Sequence, residues 1–160
     1  MNYIIAPSCS AVPSSDLLYR AGGVSPWTLF TFNYTAITAS PTLVFGFKNS
    51  GGSDYSYVDD VSVVEINVTS IELLDNPSFE NSTSTPTGWI TWCQSACGSG
   101  AGQVVSSSCN TGNCYRDHCQ NNYNYLAQSF SATVGRVYRI RFRLYQVGGG
   151  NAKFYADMQA

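Results

Sequence analysis

The strongest constraint on this chain is a run of side chains that alternate in polarity at a period of two. In "RVYRIRFRLYQV", residues 136–147, Tyr138, Ile140, Phe142 and Leu144 fall on one face, while Arg139, Arg141 and Arg143 fall on the other. That is the pattern of a half-buried β-strand. Similar alternation predicts strands over 27–36, 41–49, 57–66, 123–132 and 152–158, with weaker candidates at 16–20 ("DLLYR"), 88–93 ("GWITWC") and 102–108 ("GQVVSSS"). Intervals rich in Gly, Ser, Asn and Pro, such as "KNSGGSDY" and "NSTSTPTG", supply the turns. No segment carries a helical stripe. The predicted class is therefore all-β, and a sandwich is favoured over a barrel.

The 160 residues are one domain's worth, and 44% of them are apolar, enough for a sizeable core. Only 11% are charged, against about 25% in ordinary soluble domains. Solubility must then come from uncharged polar groups, with attached sugar as an optional addition. A net charge of −2 offers nucleic acid no electrostatic footing. Arg136, Arg139, Arg141 and Arg143 put half of the eight basic residues in one strand. They read either as a surface for an anionic partner or as a solvated outer face guarded against edge pairing, and the second is favoured.

Six cysteines have almost no metal-binding company, since His118 is the one histidine. Cys93, Cys97, Cys109, Cys114 and Cys119 are spaced x3, x11, x4 and x4, which matches no common zinc pair. Disulfides are favoured over zinc, and with them an oxidising, extracellular compartment. Because five is odd, full pairing requires Cys9 to join that group and tie the start of the chain to its second half. Sequons at Asn33, Asn67 and Asn81 also fit a secreted glycoprotein. In "FTFNYTA" Asn33 is out of phase with the aromatic rings and should point outward. No apolar run reaches membrane-spanning length. "MNYIIAPSCS" lacks the features of a signal peptide, so a secreted chain of this kind is expected to be processed or to be one segment of something longer.

"ELLDNPSFEN…GW" followed by "LAQSFSATVGRVYRIRFRLYQV" resembles the N-terminal half of galactose-binding-like jelly rolls, a group that includes carbohydrate-binding modules. "W…F.F.A", "L.F" and "YVDDVSV" resemble the C-terminal half of the same fold, yet they stand first, in residues 27–64. The resemblance implies two pieces. Residues 1–70 would be the closing half of a jelly-roll sandwich, and residues 71–160 the opening half, with a Cys-rich insertion at 93–119. The halves would be joined either within one chain, in permuted order, or between copies. Strand complementation between copies, with Phe30, Phe32 and Phe45 covering Ile140, Phe142 and Leu144 of a neighbour across the short linker 68–72, would give a head-to-tail filament. The expected function is accordingly a structural repeat of a secreted, glycosylated filament. A permuted carbohydrate-binding monomer is the alternative.

The resemblance also implies a structural calcium held by Glu80, Asp60 and Asp59, whose hard oxygens suit that ion. The other reading is that Asp59 and Asp60 cap a turn while Glu80 is solvated. It further implies that 57–66 pairs with 72–80, bringing Asp60 near Glu80. Among the aromatic residues, Trp27, Trp89, Trp92, Tyr55, Tyr57, Tyr123 and Tyr125 are able to stack on sugar rings. Trp89 is expected in the core, and Trp92, Tyr123 and Tyr125 are expected to be the least core-like. No catalytic constellation stands out. His118 sits between two cysteines, and Asp117 beside it in sequence does not make a triad. The chain is not expected to be an enzyme.

Overall fold

A computed structural model describes residues 7–11, 17–68, 71–98, 100–148 and 152–160. Asp16 of the first weak strand candidate and residues 69–70 of the expected linker lie outside them. Ten strands form: β1 (Leu18–Ala21), β2 (Ser25–Thr35), β3 (Thr42–Lys48), β4 (Tyr55–Glu65), β5 (Ile90–Trp92), β6 (Gln103–Val105), β7 (Cys114–Asp117), β8 (Asn124–Ser129), β9 (Val137–Val147) and β10 (Lys153–Gln159). Two antiparallel sheets of five strands, β1-β10-β3-β8-β5 and β2-β9-β4-β7-β6, pack as a sandwich. The all-β expectation holds. Among the described residues the one helical element is a 3-10 turn at Gln94–Ala96.

Alternation decides which side chains meet. On β9, Tyr138, Ile140, Phe142 and Leu144 are buried, with Arg139 and its neighbours on the other face. Leu43, Phe45 and Phe47 of β3 and Phe154 of β10 come from the opposite sheet. Phe142 is the hub, with ring centroids 5.0 Å from Phe45, 5.6 Å from Phe30, 5.7 Å from Phe154 and 6.1 Å from Phe32. Trp89 is buried as expected and donates its indole N–H to the Asn76 carbonyl at 3.1 Å.

The two expected halves interleave completely. β1 to β4 come from residues 1–70, and none of these four strands pairs with another of the four. Each pairs only with strands of residues 71–160: β1 and β3 flank β10, and β2 and β4 flank β9. The apolar faces that motivate completion by a neighbouring copy, Phe30, Phe32 and Phe45 on one side and Ile140, Phe142 and Leu144 on the other, therefore meet inside one chain.

Two local expectations are corrected. Residues 72–80 form no strand beside β4, whose sheet partners are β9 and β7. Pro77 and the left-handed backbone of Asn76 (φ 49) and Phe79 (φ 61) break any extended run there. The segment still passes along β4, with Leu73 N–H on the Val63 carbonyl at 3.0 Å and Val61 N–H on the Pro77 carbonyl at 3.2 Å. Glu72 adds its carboxylate, which accepts the N–H groups of Val63, Leu73 and Leu74. Second, the Cys-rich stretch is more than an insertion, because it supplies β6 and β7 to the sandwich.

Truncating the hub should be costly in proportion to the cavity left. Phe142→Ala is expected to lower the unfolding free energy by about 3–5 kcal/mol, read from the midpoint shift in denaturant at unchanged slope.

Candidate functional site

Disulfides Cys9–Cys93, Cys97–Cys119 and Cys109–Cys114 use all six cysteines. Two of them pin segments across the outer faces of the sheets, and the residues expected to hold calcium or sugar lie at those covers.

Cys109–Cys114 closes a tight loop that docks on the outer face of β4. A β-bulge between Asp59 and Ser62, with Asp60 at φ 50, turns two successive carboxylates toward the same loop. Asp59 accepts the N–H groups of Asp60 (2.7 Å), Thr111 (3.0 Å) and Asn110 (3.1 Å). Asp60 accepts Asn110 Nδ2 at 2.7 Å and Thr111 Oγ1 at 3.2 Å, and pairs with Arg143 at 3.4 Å. From the other end, Glu80 accepts Asn113 N–H at 2.8 Å. The three expected calcium ligands thus converge on one loop. Their oxygens face N–H and O–H donors, and no group of three or more His, Cys, Asp or Glu gathers around a metal position among the described residues. As arranged, these carboxylates clamp the loop.

On the outer face of the other sheet, Val44, Tyr123, Tyr125, Ala127 and Tyr155 form a second buried cluster with Trp92. Trp92 stacks on Tyr125 at 4.9 Å and Tyr123 lies 6.0 Å from the same ring. Gly46 permits this, because a Cβ there would meet the Tyr125 ring at 2.7 Å. The segment at Ser8–Cys9 lies over the stack: Tyr125 Oη donates to the Ser8 carbonyl at 3.0 Å, Tyr123 N–H donates to the Cys9 carbonyl at 2.7 Å, and Cys9 is bonded to Cys93. The expectation that Trp92, Tyr123 and Tyr125 are the least core-like rings is corrected for two of them, since Tyr125 is fully buried and Tyr123 nearly so, while Trp92 is half-buried. Period-two phase places them on the outer face but does not reveal that a distant cysteine pins a cover there.

The more open rings lie on the sheet containing β9. Trp27 packs 5.5 Å from Tyr145, Tyr57 packs 5.3 Å from Tyr145, and Tyr55 stacks on His118 at 4.3 Å with Arg116 above it. Trp27, Tyr55 and Tyr145 are half-buried, and Trp27 donates its indole N–H to the Ser108 carbonyl of the pinned loop. Asn33, Asn67 and Asn81 are all exposed.

A polar row inside the sandwich was not anticipated. Ser25, Gln146, Ser56 and Asp117 are register partners across β2, β9, β4 and β7, and all are buried. Asn49 and Asn124 join them from the facing sheet: Asp117 accepts Asn124 Nδ2 at 2.6 Å, Cys119 N–H at 2.8 Å and Asn49 Nδ2 at 3.3 Å. The amide of Gln146 and Oδ1 of Asn124 are buried with no partner among the described residues. The signal was present in the sequence, where Gln146 continues the inward phase of Ile140, Phe142 and Leu144. Asp117 faces inward while His118 stacks outside on Tyr55, so the adjacent pair share no site.

Comparison with protein-family models, curated proteins and solved structures found no match. No helix of the described residues is long and apolar enough to cross a membrane.

Burial raises the Asp59 carboxyl to about 6, against the N–H bonds that lower it, and raises Asp117 to about 7 against those from Asn124 and Cys119. Both groups hold a proton more tightly folded than unfolded, where a carboxyl titrates near 4. The stability that protonation supplies is fully present below the unfolded value and is lost as pH rises through about 6 and 7. Each pK unit corresponds to about 1.4 kcal/mol. The melting temperature should therefore be several degrees higher at pH 5 than at pH 8. Asp117→Asn should flatten most of that slope, whatever its absolute cost.

Proposed function

We propose that this chain is a structural unit of a secreted, glycosylated extracellular assembly. The observation that carries the reading is that a disulfide pins Ser8 and Cys9 over the Trp92–Tyr125 stack, which a sugar-binding module would leave open, while a second disulfide closes a loop gripped on the outer face of the other sheet. Cross-links of this kind act in oxidising surroundings, and a closure spanning 84 residues, as in Cys9–Cys93, contributes about 4.5 kcal/mol by restricting the unfolded chain. Exposed Asn33, Asn67 and Asn81 suit attached sugar on a surface poor in charge. The unit is closed on itself, and exchange of halves is not part of the proposal.

A carbohydrate-binding module remains the second reading, favoured by the half-buried Trp27, Tyr55 and Tyr145. One set of measurements separates the two. The structural reading expects the oxidised protein to resist protease and denaturant, to lose that resistance on reduction, and to give no saturable signal with neutral or acidic oligosaccharides at millimolar concentration. Saturable sugar binding that disappears in Trp27→Ala would overturn it in favour of the module. Calcium has its own readout: a saturable rise in melting temperature on adding the ion to chelator-treated protein, lost in Glu80→Gln, would add calcium to the clamp of Asp59, Asp60 and Glu80.

A further inference from the structure

Among the described residues, the four edges of the two sheets are unequal. One sheet ends in β1, of 4 residues, and β5, of 3. The other ends on one side in β6, of 3 residues, and on the other in β2, of 11. An edge strand presents unpaired N–H and C=O groups to any other strand, and proteins blunt such edges by keeping them short, by charging them or by placing proline in them. Three of these edges are short. β2 is not, and it carries no Asp, Glu, Lys or Arg between Ser25 and Thr35. Its one proline, Pro26, sits in the irregular stretch between Ser25 and Thr28, ahead of the regular register with β9.

The side chains of β2 match this openness. Phe30, Phe32 and Tyr34 face Phe142, Ile140 and Tyr138, which are buried, yet they are themselves only half-buried. Leu29 is 39% exposed, and the Tyr34 hydroxyl is buried without a partner. Arg20 lies 5.7 Å from the Phe30 ring, Arg139, Arg141 and Arg143 of β9 stand opposite Asn33, Thr31 and Leu29, and Asp60 pairs with Arg143 at 3.4 Å.

We propose that β2 is an assembly edge that pairs antiparallel with β2 of a second copy, giving a two-fold dimer with a continuous ten-stranded sheet. This goes beyond the structural reading and does not depend on it. The strand is complementary to itself: centred on Phe30, the pairing sets Phe30 against Phe30, Leu29 against Thr31 and Thr28 against Phe32, with no charge at the seam. The two arginine columns lie three strand spacings apart, about 14 Å, beyond the screening length of about 8 Å at physiological salt. Two-fold pairing uses up the one long edge of each copy, so growth stops at the dimer.

Asn33 would set a glycan beside the seam, so the test uses protein made without N-glycosylation. Light scattering after size exclusion, over a concentration series, should give twice the chain mass of 17.4 kDa. Amides 28–35 should exchange more slowly as the dimer forms. In the double variant Leu29→Glu with Thr31→Glu, the new carboxylates face Arg143 and Arg141 within a copy but oppose each other across the seam. It should run as a monomer that still unfolds in one cooperative transition, with a melting temperature that no longer depends on concentration. Thr31→Glu alone serves as the second variant, and a weakened dimer is expected. A wild-type protein that stays monomeric at every concentration would overturn the proposal, as would a dimer unchanged by the double variant, or a β2 edge protected only when an unrelated strand peptide is added.

Discussion

Everything in this structure depends on β9 and β10 being paired on both sides by strands from the first 70 residues. Neither part of the chain has a sandwich without the other. β1 to β4 have no pairing among themselves, and the remainder keeps only the short contacts β5–β8 and β6–β7. The core around Phe142 draws on both parts, so hydrogen-bond ladders and apolar burial form together or not at all. Contacts this distant in sequence make for slow folding, because loop closure must precede the gain from burial.

The same architecture leaves aromatic rings on the outer faces, where a chain with so few charges has little else to shield them. On one face a disulfide meets this need, and on the other a disulfide shapes a loop held by carboxylates. Cys9–Cys93 holds Ser8 and Cys9 over the Trp92–Tyr125 stack, and Cys109–Cys114 shapes the loop that Asp59, Asp60 and Glu80 grip. Burying Asp59 under that loop and Asp117 in the polar row costs stability at neutral pH, because neither carboxylate has a cation among its hydrogen-bond partners. What the arrangement supplies in return is a fixed geometry for the Cys109–Cys114 loop and for the polar row.

Much of the fold was legible in the residue order. Alternation located β2, β3, β4, β8, β9 and β10 to within a few residues, and the weaker patterns fell on β1, β5 and β6. β7 was missed because Asp117 occupies an inward position where alternation calls for an apolar residue. The odd cysteine count placed Cys9 with the later group without naming its partner. The role of 72–80 was misread because a jelly-roll motif suggested a strand where Asn76, Pro77 and Phe79 impose turns. For the site, the acidic residues were found but not their donors, since Asn110, Thr111 and Asn113 reach them only through a disulfide loop. Tyr123 and Tyr125 were misplaced in the aromatic ranking for the same reason: phase reports which face a ring occupies, and a distant bond decides whether that face is covered.

The central claim is that both parts of one sandwich come from one chain, and the protein carries its own probe for it. Its two lysines, Lys48 on β3 and Lys153 on β10, are direct register partners, one from each part. Equal amounts of nitrogen-15-labelled and unlabelled protein are unfolded together, refolded, joined with a short lysine-reactive cross-linker and read by mass spectrometry. Closure within one chain predicts Lys48–Lys153 cross-links whose two peptides always carry the same isotope. Cross-links of mixed isotope, approaching half of the total, would mean that each sandwich is completed by another copy and would contradict the account.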